Sequence, residues 1–294
     1  MKLNDSLFNK VPQQQYLMLK QFIADHPNKI YQNNGGNYEY LSTRHGKRTI
    51  VFIHGAMFNP YMWFYPMTKL KNDFRIIAPK LPAIGMGAND SVNYIKTILD
   101  TENVNKAIIV GYSYGGGIAQ YFAEVYPDYT DILVLSHTGI LRREDSITRT
   151  HMMLKKLKII PSFSIQIIKL IRTMSGKESE WYSFRKAFFN WMFSSITKKD
   201  FVDHFNKNLI FFKDIQHLPV GRVSWKGKTI ILATESDKDT FQYYDKLTSI
   251  YNNNTSHVFD EPGGHHMLFL YPEKYTHILN DLIQQTDRTS HNSE

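Results

Sequence analysis

The chain contains no cysteine. This absence excludes a disulfide scaffold, a zinc–thiolate site and a cysteine nucleophile. The sequence also has no run of 18 or more apolar residues, so it predicts no helix that crosses a membrane. Residues 1–15 lack the apolar segment of a signal peptide, and we therefore expect a cytoplasmic location.

Hydrophobic residues make up 42% of the 294 residues, and aromatic residues make up 14%. Because this apolar content can offset the entropy lost on ordering the chain, we expect a folded core and not a disordered chain. The net charge of +8 is concentrated in residues 141–220, which carry fifteen Lys and Arg against seven Asp and Glu. The rest of the chain is balanced in charge.

From residue 48 onward, short β-rich runs alternate with segments of helical length, which predicts an α/β fold with a mostly parallel central sheet flanked by helices. The apolar run at 50–53 does not alternate with polar residues, as is typical of a strand covered on both faces. We expect a hairpin at 29–32 and 38–42 on one sheet edge. The strands predicted for the main sheet are 48–54, 74–79, 106–111, 131–137, 228–234 and 256–260. The helices predicted are 12–24, 61–71, 92–102, 115–126 and 272–285.

The alternation stops after the strand predicted at 131–137, which is the sixth strand when the two strands of the hairpin are counted, and resumes at residue 228. Between these points the pattern is helical, with Pro161, Gly176 and Pro219 as breakers and clusters such as Ile167-Ile168. We therefore predict a helical insertion at 141–220 and a core domain made of 1–140 and 221–294.

A nucleophile motif of the form G-x-S-x-G occurs at Gly111-Tyr112-Ser113-Tyr114-Gly115, between a predicted strand and a predicted helix. A sharp turn there would expose the Ser113 hydroxyl and direct the next backbone N–H toward a developing oxyanion. The alternative is a glycine-rich turn whose serine caps a helix. A phosphate-binding loop is disfavoured, because neither of its glycine patterns is present.

A serine nucleophile needs a histidine base, and that histidine needs a carboxylate to orient it. In an open α/β sheet such groups come from loops at the carboxyl ends of strands. The loop after residue 234 contains Asp237 and Asp239, and the loop after residue 260 contains His265 and His266. The site could therefore be assembled from distant parts of the chain.

These motifs resemble the α/β-hydrolase fold superfamily, from about residue 48 to residue 285 outside the insertion. The order Ser113, Asp237, His265 matches its catalytic triad, and the sequence VFIHGA at 51–56 resembles its oxyanion loop. Gly264-His265 precedes Pro272 by the spacing usual in the family. One departure is Lys80, which stands where the family often has aspartate.

The resemblance implies a triad of Ser113, Asp237 and His265, with Asp239 and His266 as the less favoured alternatives. It also implies an oxyanion hole formed by the backbone N–H groups of Ala56 and Tyr114, and a lid formed by residues 141–220.

Two further histidines end predicted strands. We interpret His54 as an anchor of the oxyanion loop and His137 as a residue that lines the pocket beside Thr138.

The expected function is that of a serine hydrolase of the carboxylesterase, lipase or thioesterase type, which forms an acyl-enzyme on an acyl substrate. The same triad could also serve an acyltransferase, a carbon–carbon bond hydrolase or a lyase, and the scaffold could serve a non-catalytic binding protein.

No cofactor and no metal are expected. The basic lid could contact anionic lipid or an acidic carrier, or its cations could simply be solvated; nucleic acid is not expected as a partner.

Overall fold

The computed structural model describes residues 3–33, 36–82, 86–161 and 176–291. Strands in this part of the chain form one eight-stranded sheet in the order β1-β2-β4-β3-β5-β6-β7-β8. The strands are β1 (Lys29–Asn33), β2 (Gly36–Ser42), β3 (Arg48–Ile53), β4 (Phe74–Pro79), β5 (Ala107–Tyr112), β6 (Thr130–Ser136), β7 (Lys228–Thr234) and β8 (Asn254–Phe259).

The sheet is parallel from β4 to β8, and the β1–β2 hairpin adds to its edge in the antiparallel sense. Both faces of the central strands are covered. In β3, Ile50 and Phe52 join the hydrophobic cluster on one face, while Val51 and Ile53 join the cluster on the other. This burial on both sides explains the continuous apolar run. The α/β fold class predicted from the sequence is confirmed.

Helices pack on both faces of this sheet, and the predicted helices are present with small changes of boundary. The helix predicted at 92–102 begins earlier, at Ala88, because the Asp214 carboxylate accepts a hydrogen bond of 2.7 Å from the Ala88 N–H. The helices are α1 (Gln13–Asp25), α2 (Phe64–Leu70), α3 (Ala88–Thr101), α4 (Tyr114–Val125), α5 (Ser146–Ile159), α6 (Tyr182–Met192), α7 (Lys198–Asp214), α8 (Tyr244–Ile250), α9 (Met267–Leu270) and α10 (Pro272–His291).

The interval between β6 and β7 contains α5, α6 and α7. Helix α6 places aromatic side chains in the core, where the Phe184 and Phe188 rings lie 5.1 Å and 5.8 Å from the Phe64 ring. Leu157 of α5 packs against Phe201 of α7. The role of this interval as a lid stays a prediction. The Ile167-Ile168 cluster and part of the predicted hairpin turn lie outside the described residues.

Among the described helices, we find none with the length and apolar character needed to cross a membrane.

Candidate active site

Ser113 occupies a sharp turn between β5 and α4. Its backbone angles are φ 54° and ψ −119°, a conformation that non-glycine residues rarely adopt and that the surrounding structure must hold. Two hydrogen bonds of 2.9 Å hold it, from the Ser113 N–H to the Ser136 carbonyl and from the Gly116 N–H to the Ser113 carbonyl. The turn therefore presents the hydroxyl at the carboxyl end of the sheet, as a nucleophile elbow would.

The two outer glycines of the motif allow the turn to pack closely on the sheet. A Cβ atom on Gly111 would lie 2.4 Å from the Gly115 carbonyl oxygen, and a Cβ atom on Gly115 would lie 2.5 Å from the Ile53 carbonyl oxygen. Both distances are shorter than van der Waals contact. A side chain at Gly111 would therefore push the start of α4 away from β5, and one at Gly115 would push it away from the end of β3.

This packing predicts a clear difference between two glycine-to-alanine substitutions in α4. Gly115→Ala places its methyl group against backbone oxygens, and we expect it to lower the free energy of unfolding by about 1–3 kcal/mol. At Gly117 the nearest atoms to an added Cβ are 3.9 Å away, so alanine is expected to raise stability by up to about 1 kcal/mol through its helix propensity. Urea unfolding of both variants measures the two changes in the free energy of unfolding. Equal changes in the two variants would contradict the proposed packing.

Three side chains that are distant in the sequence form one hydrogen-bonded chain. His265 Nε2 lies 2.9 Å from Ser113 Oγ, although 152 positions separate the two residues. On the other side of the ring, His265 Nδ1 lies 2.7 Å from Asp237 Oδ2. This network assigns the Nδ1–H to the carboxylate, so that Nε2 is left to accept the proton of the Ser113 hydroxyl.

The structure brings Asp237, and not Asp239, to the histidine. Asp237 is only 3% exposed and also accepts hydrogen bonds from the Thr240 hydroxyl and the Asp239 N–H. Burial raises the pKa of this carboxyl, but the hydrogen bond from His265 and that from Thr240 outweigh burial and hold the pKa below its usual range. Asp239 is exposed, in the same loop.

His266 points toward the insertion. Its Nδ1 lies 3.1 Å from an Arg185 guanidinium nitrogen, and its ring packs at 5.0 Å from the Phe189 ring on α6. Arg185 is fully buried. The structure therefore joins His265 to the serine and His266 to helix α6.

Tyr112 and Thr240 are two positioning residues that the sequence analysis missed. The buried Tyr112 hydroxyl donates to the backbone carbonyl of His265 and so fixes the histidine loop above β5. Burial raises the pKa of this phenol well above its ordinary value, so it stays a donor. The only sequence signal for Tyr112 is its place inside the G-x-S-x-G motif, where any residue is allowed.

Ala56 lies in the loop that follows β3, and Tyr114 follows Ser113 at the start of α4. Within the described residues, no protein acceptor takes a hydrogen bond from either backbone N–H. His54 holds the loop that carries Ala56. Its Nδ1–H donates to the Gly55 carbonyl at 2.9 Å, and its Nε2 accepts from the Leu81 N–H at 3.2 Å. These contacts fit its interpretation as an anchor.

Burial lowers the pKa of His54 to about 4. Between pH 6.5 and pH 4 the unfolded chain binds a proton that the folded chain does not, so stability falls as the pH is lowered. In this window, each unit by which the pH falls lowers the free energy of unfolding by about 1.4 kcal/mol. We expect His54→Gln to lose less stability than the parent between pH 6.5 and 4.5, and His45→Gln, at an exposed position, to behave like the parent. Parallel pH profiles of the parent and His54→Gln in urea unfolding would contradict this.

His137 lies in the core, near the His265 ring. It is 1% exposed, and its two ring nitrogens lie 3.0 Å from Ser136 Oγ and 2.8 Å from Thr234 Oγ1. Burial lowers its pKa to about 3, so the ring is neutral, and it sits 6.3 Å from the His265 ring. The interpretation of His137 as a pocket residue is therefore corrected, since its neighbour Thr138 is the one that lines a cavity.

Two cavities lie beside the turn that carries Ser113 and Tyr114. The Lys207 cavity has a volume of about 200 Å³ and is lined by residues that include Ala56, Tyr114 and Lys207. The Thr138 cavity has a volume of about 190 Å³ and is lined by residues that include Ser113 and Thr138. Both are large enough for a small acyl or alcohol group.

Solved structures with the same fold are numerous. An esterase from Exiguobacterium antarcticum aligns with a TM-score of 0.69 at 16% identity, over 87% of this chain and 99% of that chain. A hydrolase from Pseudomonas aeruginosa aligns with a TM-score of 0.70 at 13% identity, over 87% of this chain and 98% of that chain. At these identities the similarity concerns the fold alone.

Curated relatives are similar over shorter stretches. An uncharacterized protein of Mycobacterium tuberculosis is 32% identical over 108 residues, which are 33% of this chain and 31% of that protein. The pimeloyl-[acyl-carrier protein] methyl ester esterase of Wigglesworthia glossinidia brevipalpis is 26% identical over 170 residues, 56% of this chain and 60% of that protein. The matches thus span about one third to three fifths of these relatives' own lengths.

A family model described as the alpha/beta hydrolase family matches residues 50–277. This range contains the elbow, both acidic candidates and both histidine candidates, and it confirms the resemblance seen in the motifs. Because the match covers more than half of the chain, the protein belongs to the alpha/beta hydrolase family.

Proposed function

We propose that the protein is a serine hydrolase that cleaves a carboxylic ester or thioester through an acyl-enzyme intermediate. The observation that carries this proposal is the hydrogen-bonded chain from the Asp237 carboxylate through the His265 imidazole to the Ser113 hydroxyl. Family membership and the esterase name of one relative support it.

In the first half of the reaction, Ser113 Oγ attacks the carbonyl carbon of the substrate while His265 Nε2 takes the hydroxyl proton. The carbonyl oxygen becomes an oxyanion, which the N–H groups of Ala56 and Tyr114 would stabilise. His265 then gives its proton to the departing alcohol or thiol, and the acyl group stays on the serine.

In the second half, a water molecule attacks the acyl-enzyme and transfers a proton to His265. The tetrahedral intermediate collapses, His265 returns the proton to Ser113 Oγ, and the carboxylic acid leaves. Asp237 stabilises the imidazolium in both halves. No step uses a group outside the chain other than water.

The helical interval at 141–220 is proposed as the lid of this site, because α7 contributes Lys207 to one cavity and Phe211 to the other. Contact of its basic surface with anionic lipid or an acidic carrier stays a prediction, as does the cytoplasmic location.

The test is the hydrolysis of p-nitrophenyl acetate, butyrate and octanoate, each with and without methanol as a competing acceptor. A hydrolase releases the free acid in both conditions, whereas an acyltransferase gives mainly the methyl ester. No turnover of any ester, together with no labelling by a fluorophosphonate, would support a non-catalytic binding protein and contradict the proposal.

A further inference from the structure

Lys207 is a buried cation at the candidate active site. It belongs to α7, is 5% exposed and lines the Lys207 cavity. Its ammonium group donates to the Pro82 carbonyl at 2.7 Å and lies 5.9 Å from the centre of the Tyr114 ring. In the part of the chain that the structure describes, no ion pair joins this nitrogen to a carboxylate. Lysine is rarely buried to this degree without an anionic partner.

The charge of Lys207 persists despite its burial. Removal from water lowers its pKa to about 8, so most molecules still carry the positive charge at neutral pH. An ammonium group has three N–H donors, and the Pro82 carbonyl occupies one of them. Burying a cation whose other N–H groups remain available costs free energy. An anion bound in the cavity would accept hydrogen bonds from them and offset that cost.

The Lys207 cavity is also close to the expected position of the ester carbonyl, because Ala56 and Tyr114 line it. Its volume is about 200 Å³. The Tyr114 hydroxyl oxygen is buried, and among the described residues it has no hydrogen-bond partner. A residue of the cavity wall therefore carries a buried hydroxyl group whose hydrogen-bonding capacity the described residues do not satisfy.

Asp200 also lines this cavity but does not neutralise Lys207. Its carboxylate accepts hydrogen bonds of 2.6 Å from the N–H and the hydroxyl of Thr197, at the start of α7. Asp200 precedes Lys207 by seven positions on α7, which corresponds to about 10 Å along the helix axis. The Lys207 ammonium group lies beside the Tyr114 ring, and the Asp200 carboxylate is bonded to Thr197.

We propose that Lys207 is a specificity-determining residue that binds a carboxylate group of the substrate, a few atoms away from the ester bond that is cleaved. This inference rests on the proposed hydrolase function and narrows its substrate class to esters with one anionic end. A carboxylate fits better than a phosphate dianion, because Lys207 is the one Lys or Arg among the described residues that line this cavity. The carboxylate could belong to the acid portion or to the alcohol portion of the ester.

The experiment compares two pairs of esters that differ only in charge. Monomethyl adipate and its terminal amide place the test group on the acid side, whereas 6-acetoxyhexanoate and its amide place it on the alcohol side. For at least one pair we expect kcat/KM of the parent protein to favour the carboxylate about 10- to 100-fold. The pair that shows this preference identifies which portion of the ester occupies the cavity.

Lys207→Met is expected to bring that kcat/KM ratio down to about 1, and Lys207→Arg to keep most of the preference. The matched control is Lys199→Met, which removes the same charge from an exposed position on α7 and should leave the ratio as in the parent. A parent ratio near 1 for both pairs, or a ratio that Lys207→Met leaves unchanged, would overturn the inference while the hydrolase proposal stands.

A second measurement needs only the parent protein and covers the case in which Lys207→Met does not fold. Hexanoate is expected to inhibit ester cleavage at least about 10-fold more strongly than hexanamide, and equal inhibition would overturn the inference. Absence of Ser113-dependent cleavage of all four esters would overturn this inference, whereas the proposed function itself would be contradicted only by no turnover of the p-nitrophenyl esters together with no fluorophosphonate labelling.

Discussion

Replacing Ser113 with alanine is expected to lower kcat/KM for p-nitrophenyl esters by about 10³-fold or more. The substitution removes the oxygen that attacks the acyl carbon and leaves His265 without its proton donor. The backbone donors proposed for the oxyanion would remain, so a small residual rate above that in water is expected. Steady-state kinetics of the purified variant measure the loss.

The fold of Ser113→Ala should survive, because in the described part of the chain the Ser113 side chain bonds only to His265. Its backbone hydrogen bonds to Ser136 and Gly116 do not involve the hydroxyl. Circular dichroism and urea unfolding provide the control. Equal cleavage rates in the folded variant and the parent would show that Ser113 is not the nucleophile.

Replacing Asp237 with asparagine is expected to lower kcat by about 10⁴-fold. The amide keeps the shape of the side chain but loses the charge that stabilises the imidazolium, and its NH₂ group can favour the wrong tautomer of His265. The hydrogen bonds from the Thr240 hydroxyl and the Asp239 N–H also lose their charged acceptor. The pre-steady-state rate of acylation reports this loss most directly.

Asp239→Asn is the matched control for this prediction, because it makes the same chemical change two residues away at an exposed position. We expect a change in kcat of less than about threefold. A large loss in Asp239→Asn together with a small loss in Asp237→Asn would mean that the loop rearranges on substrate binding, and would contradict the assignment of Asp237 as the triad acid.

The central sheet was predictable because its strands carry a local signal. Buried parallel strands must be apolar on both faces, and the run at 50–53 shows this without reference to the rest of the chain. The elbow was predictable for a similar reason, since Gly111 and Gly115 are needed to make a tight turn beside the sheet. These features are set by neighbours in the sequence.

Other features depend in whole or in part on contacts between distant residues. The early start of α3 combines a local cap, in which the Asp90 carboxylate accepts from the Gly87 N–H, with a bond to the Asp214 carboxylate at the end of α7. The link from the Tyr112 hydroxyl to the His265 carbonyl joins residues 153 positions apart. Sequence patterns describe one segment at a time, so they did not identify either contact.

Lys207 shows this difficulty most clearly. In the sequence it is one of fifteen cations in residues 141–220, and a cation in such a segment is usually solvated. Its burial becomes visible only once α7 lies over the elbow, with Lys207 beside Tyr114 and the Pro82 carbonyl. The sequence pattern alone therefore did not distinguish Lys207, which we propose to select the substrate, from the solvated cations of the same segment.

The most direct test of the central claim is to map the site of covalent modification by a fluorophosphonate with mass spectrometry of the intact protein and its peptides. Attack by an activated serine predicts one phosphonyl group per chain, carried by the peptide that contains Ser113, and a much slower reaction in His265→Ala. An unmodified protein, or a single adduct on a peptide that lacks Ser113, would contradict the proposed relay of Asp237, His265 and Ser113.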